Sequence, residues 1–198
     1  MTQIYTLAEI RNGTGFEHGA KFVLQNGSPD TSEPDAKYQA LQDIGESTAR
    51  NIAEMVAALE CDYDRLEDLR GTVSDLDSVD YTKDEKTELA AELAELEEAA
   101  GECESRDDAE RRIQESPLSV EVRSGWHTPG EPSDSAEFCI LLSTGGPATR
   151  IIGELDNGEP TRARIQAQNW FTVWTDYTGS AISRDDLLTY CRCFYFGE

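Results

Sequence analysis

The sequence predicts an α+β protein, with an acidic antiparallel helical hairpin followed by a small antiparallel β-sheet closed by a C-terminal helix. Three observations predict this. Apolar residues recur at helical spacing up to about residue 114, and the period switches to alternation after Pro117. Ser or Thr stands three residues before an acidic residue at Thr82/Glu85, Ser105/Asp108 and Ser183/Asp186, marking three helix starts. A turn-rich "DNGEP" separates two strand-like runs, as a hairpin connection does.

Three stretches follow. Residues 1–40 read as an N-terminal arm of weak strands ("QIYTLAEI", "KFVLQ") and a linker, "NGSPDTSEPDA". Residues 41–116 form the acidic helical region. Within it Ile52, Met55, Val56, Leu59, Tyr63, Leu66 and Leu69 make one apolar stripe, and Gly71 offers a stop. Thr82 then opens a helix striped by Leu89, Leu93, Leu96 and Ala100, which Gly101 ends. Ser105 launches a short helix to about Gln114, stopped by Pro117. The two longer helices, joined by a short polar turn, should pack antiparallel. Residues 117–198 hold the sheet and the last helix: "LSVEVRSG", "EFCILLST", "TRIIGELD" and "ARIQAQNWFTVWTDY" predict three or four strands. After Ser183 the final helix offers Leu187, Leu188, Tyr190, Cys191, Phe194 and Tyr195 to the core.

Charge is the outlying property. The chain of 198 residues has 40 acidic against 17 basic residues, a net charge of -23. Residues 54–116 hold 22 of those acids and 7 of the bases, so net -15 falls on 63 residues. Such a field repels nucleic acid and anionic membrane and attracts basic partners. Adaptation to high salt would spread acidity over the whole surface, whereas here it is concentrated. Without an apolar run of spanning length or a basic-then-apolar leader, the expectation is a cytoplasmic protein. Five scattered cysteines suit reduced thiols.

Several segments, "ALECDYDRLEDLR", "VEVRSGWHTPGEP", "EFCILLSTGGPATRIIGELD", "QNWFTVWTDY" and "LLTYCRCFYFGE", resemble a group of small acidic proteins encoded in bacteriophages and prophages. The resemblance covers roughly residues 50–198 and implies a phage or mobile-element setting in a bacterial cytoplasm. It brings no catalytic residue with it, and it favours a counter-defence role.

Catalytic chemistry is thinly represented. His18 and His127 are the only histidines, and Cys191 and Cys193 would point about 200° apart on a helix. No metal site, cofactor or catalytic residue is therefore expected. Cys139 within "FCILL" reads as a small buried hydrophobe, and "STGGPA" as a hairpin turn rather than an anion loop. The chain is expected not to be an enzyme. Trp126 and His127 ride on a turn-prone loop, where an exposed aromatic would anchor a partner, although Trp126 folding back onto the sheet edge is the first expectation. Alternation suggests that at least one of Trp170 and Trp174 is core.

The partner-binding candidates are Asp62, Glu67, Asp68, Glu88, Glu92, Glu95, Glu97, Glu98, Glu102 and Asp108, joined by Trp126 and His127. A helix with a carboxylate at every second position carries one charge per about 3 Å. Two such helices side by side would approach the one charge per about 1.7 Å of duplex DNA. The expected function is an anti-defence inhibitor, a DNA mimic binding a basic nucleic-acid-binding host complex such as a CRISPR effector or restriction enzyme. It would contact neither nucleic acid nor membrane, and a homodimer is compatible with it. The alternative is an accessory or structural phage protein that self-associates through its helices.

Overall fold

The computed structural model describes residues 32–74, 81–131, 133–170 and 172–197. The weak strands expected near the N-terminus lie outside these. The chain divides into two units, Met1–Ala40 and Leu41–Glu198. Of the first, the described part is the opening of helix α1 (Ser32–Glu60). A linker was expected there. Helix begins there instead, and Pro34 is no obstacle, because it falls in the first turn, where its missing N–H breaks no hydrogen bond.

The second unit is an α+β body. After α1 come α2 (Tyr63–Ser74), α3 (Lys83–Ala100) and α4 (Arg106–Glu115). Strands β1 (Ser119–Ser124), β2 (Ser135–Ser143), β3 (Ala148–Asp156), β4 (Glu159–Gln168) and the two-residue β5 (Thr175–Asp176) follow, and α5 (Arg184–Arg192) ends the series. The five strands form one open antiparallel sheet in sequence order. Asn157 and Gly158, both with positive φ, make the β3–β4 turn that "DNGEP" predicts.

The continuous stripe from Ile52 to Leu69 belongs to two helices, not one. The chain breaks at Cys61–Asp62, where the Asp62 carboxylate accepts the Arg65 amide at 3.0 Å and caps α2. Gly71 lies inside α2 rather than ending it. The hairpin is therefore α2 against α3, while α1 serves the sheet.

One face of the sheet carries the core. Phe138, Ile140, Ile151, Leu155 and Ile165 pack in a single cluster with Ala49, Ile52, Met55, Val56 and Leu59 of α1. Ala109 and Ile113 of α4 join it, as do Leu187, Tyr190 and Cys191 of α5, while Leu66 and Leu69 of the hairpin are buried outside it. Because α5 stops at Arg192, the tail turns Phe196 inward, 4.7 Å from the Phe138 ring, and leaves Tyr195 exposed, contrary to the helical reading. Cys191, within α5, is buried, and Cys193, just past its end, is half-buried.

Candidate partner-binding surface

The hairpin is held by a leucine seam with an ion pair on each flank. Leu66 and Leu69 of α2 are buried, and Leu89, Leu93 and Leu96 of α3 are partly so. On a helical wheel, Glu92 and Glu97 fall on opposite sides of the α3 leucine stripe, as Arg65 and Arg70 do on α2. Arg65 binds Glu92 through two parallel bonds, Nε–Oε1 at 2.8 Å and Nη2–Oε2 at 2.7 Å. Arg70 Nε meets Glu97 Oε1 at 3.2 Å. The Arg65 guanidinium holds the Glu92 carboxyl below the usual carboxylate range.

Four of the candidate carboxylates are therefore occupied within the chain. Glu92 and Glu97 zip the hairpin. Asp62 caps α2. Asp108 accepts the Glu104 amide and pairs with Arg111, beside the Ser105 cap of α4. Glu85 completes the capping box with Thr82, whose hydroxyl and amide hold its carboxyl low.

The others face outward. Glu67, Glu88, Glu95, Glu98 and Glu102 are exposed, with no cation in salt-bridge reach among the described residues. Asp68, also exposed, accepts the Thr72 hydroxyl at its backbone carbonyl. Glu67 and Asp68 lie on the side of α2 opposite Leu66 and Leu69, and Glu95 and Glu98 lie away from the leucines of α3. The free carboxylates of the two helices thus point away from each other and do not add into one doubled row. Along α3, Glu88, Glu95 and Glu98 place three charges on about 15 Å of axis. The same length of duplex carries about nine. Counted over these unpaired carboxylates alone, α3 carries about a third of the charge density of duplex DNA.

The tryptophans also differ from expectation. Trp126 is wholly exposed and does not fold back onto the sheet, because Ser124 ends β1 and Gly125 carries the chain off its edge. His127 beside it is exposed, its Nδ1 3.1 Å from the Gly125 carbonyl. Neither Trp170 nor Trp174 is core: Trp170 is exposed, and the Arg150 guanidinium lies 4.2 Å over the half-buried Trp174 ring.

One surface escaped the sequence reading. The sheet face opposite the core forms a hollow of about 570 Å³ lined by Arg123, Arg150, Arg162 and Arg164 with Cys139 and Ile152, and by Arg184 from the start of α5. Alternation in "TRARIQ" was the available signal, since it puts Arg162 and Arg164 on the outward side of β4. Acids answer these cations: Glu137 pairs with Arg123, Glu154 with Arg162 at 3.5 Å, and Asp176 with Arg164 at 3.4 Å. Burial pushes the Cys139 thiol up, with Arg150 opposing, so it is a poor nucleophile. No cluster of three or more His, Cys, Asp or Glu with metal-ligand geometry occurs among the described residues, and none of their helices is long and apolar enough to cross a membrane.

These features define an open antiparallel sheet backed by helices, with an ion-pair-zipped acidic hairpin. No family model, curated protein or solved structure matches the chain.

Proposed function

We propose that the protein acts by stoichiometric binding, presenting the outward carboxylates of α3, Glu88, Glu95 and Glu98 with Glu102, to a cationic site on a nucleic-acid-binding partner. The reading rests on one observation: these carboxylates, three of them in a row along α3, have no cation in salt-bridge reach among the described residues, in the segment that concentrates the chain's charge. Arginines and lysines that would neutralise phosphates meet carboxylates instead, and nucleic acid is displaced. With about a third of the charge density of duplex DNA, the row competes for a short stretch of a groove rather than its whole length. The resemblance to phage-encoded proteins suggests a bacterial defence complex as the target and inhibition as the outcome.

The test is capture from bacterial lysate by the immobilised protein, followed by elution with duplex DNA or single-stranded RNA. A nucleic-acid-binding complex held at low salt and released by nucleic acid is expected, because the contacts are exposed and screened. The triple variant E88K/E95K/E98K, which disturbs no internal ion pair, should lose it. Unchanged capture by this folded variant would remove the α3 row from the mechanism.

A further inference from the structure

Strand β1 is the outer strand of the sheet: β2 pairs with one side, and among the described residues no strand pairs with the other. Half of its backbone N–H and C=O groups therefore point away from the sheet. Edges of this kind are usually blunted by proline, lysine or a bulge in the strand itself. "SVEVRS" has neither proline nor lysine, and its two charges, Glu121 and Arg123, are of opposite sign. The irregularity between Arg123 and Ser124 inserts its extra residue, Ala136, in β2, so β1 stays regular. On its helix-side face Val120 is 37% and Val122 42% exposed, with Leu118 just before the strand at 59%. Trp126 stands beyond the far end.

We propose that β1 pairs antiparallel with β1 of a second copy about a two-fold axis midway between the two Val122 residues, joining the two sheets into one. The charge pattern of the strand selects both the occupant and the register. A two-fold axis normal to the sheet keeps the helices of both copies on the same side and must run midway between some residue and its own mate. Centred on Glu121 or on Arg123, it sets that charge against its own copy, and like charges directly opposite destabilise a ladder. Centred on Val120, it faces Glu121 with Ser119 and leaves Arg123 beyond the strand. Centred on Val122, it faces Glu121 of each copy with Arg123 of the other, on the outer surface where Glu137 already pairs with Arg123. On the helix side the same register opposes Val122 to Val122 and Val120 to Ser124, and its continuation brings Leu118 toward Trp126 of the other copy. The strand is thus complementary to itself in both charge and apolar pattern. This interface uses the sheet edge, not the helices, and is independent of what the acidic hairpin binds.

Light scattering on the eluting protein is expected to give twice the 21.9 kDa chain mass. E121R and R123E, each confirmed folded by circular dichroism, should each be monomeric at concentrations where the native chain is dimeric. Two like-charge contacts per dimer would weaken association by about tenfold or more. An equimolar mixture of the two should recover a one-to-one dimer, because the E121R chain offers two arginines to the two glutamates of the R123E chain. Mild oxidation should link V122C into a covalent dimer faster than V120C or the native chain. A native monomer at the highest soluble concentration would overturn the proposal. So would variants that both stay dimeric, as an interface through the helices or an occupant other than β1 would leave them, or a mixture that stays monomeric.

Discussion

Gly45 and Gly71 both sit inside helices, and their surroundings decide which way an alanine acts. In a helix interior, glycine to alanine gains about 0.5–1 kcal/mol. Around Gly71 nothing lies within 4 Å of the added carbon, so Gly71→Ala should stabilise by that amount. At Gly45 the added carbon would lie 2.7 Å from Tyr177 Cβ. Tyr177 has little room to move: its hydroxyl donates to Glu46 and accepts the Ala181 amide at 3.2 Å. Overpacking of this kind costs about 1–3 kcal/mol, so Gly45→Ala should be destabilising by about 1 kcal/mol net. Paired urea melts of the two variants read the opposite signs. Tyr190 sets an alkaline limit. Burial pushes its hydroxyl from 10.0 up to about 12, against the opposing pull of the Ser116 hydrogen bond. The folded state favours the neutral phenol, so its contribution is full below pH 10 and is lost as pH rises toward 12. The Cys193 thiol, raised by burial from 9.0 to about 11, starts the decline earlier. Tyr190→Phe should remove about 2 kcal/mol of the stability change between pH 10 and 12, seen as a flatter plot of urea midpoint against pH.

At the scale of elements, the α2–α3 hairpin buries its leucines apart from the main cluster, and its seam is flanked by exposed ion pairs, which contribute little each. It should therefore open before the sheet does. Thr82→Ala removes the hydroxyl that accepts the Glu85 amide and should cost about 1 kcal/mol. Hydrogen exchange should show that loss in α2 and α3 amides, with β2, β3 and β4 unchanged; equal loss everywhere would mean that the hairpin and sheet open together. The caps at Thr82, Ser105 and Ser183 were legible in the sequence because a cap is decided within four residues. The break at Asp62 was not, since Tyr63, Leu66 and Leu69 continue the stripe of α1 almost in phase and periodicity does not reveal the change of partner. The zipper was hidden for a related reason: Arg65 and Glu92 are 27 positions apart, and nothing local distinguishes Glu92 from Glu95, which has no cation partner among the described residues. The five-stranded sheet was nearly complete from alternation alone. Two-residue β5 lies below the length at which alternation can be read. The exposure of Trp126 depends on where β1 stops, a boundary that sequence patterns place poorly.

For the whole molecule, net charge makes stability and partner binding respond to salt in opposite directions. A chain at -23 repels itself when compact, and the repulsion is screened as the Debye length falls from about 30 Å at 0.01 M to about 3 Å at 1 M salt. The attractive pairs Arg65–Glu92 and Arg70–Glu97 weaken over the same range, but they are few beside the excess of carboxylates and are separated by direct contact, where screening acts least. The melting temperature should therefore rise with sodium chloride. E88K/E95K/E98K moves the net charge from -23 by six units to -17, so its melting curve should start higher at low salt and rise less. Capture of a cationic partner should fall across the same titration, because there the opposite charges lie on different molecules. Measured side by side, the two curves separate a carboxylate row that serves binding from acidity that serves solvation. If salt raises stability while binding stays level, the contact is apolar and the place to look is the Trp126 edge. If binding falls as stability rises, and the triple variant flattens both responses, the α3 carboxylates carry the interaction at some cost to the fold that displays them.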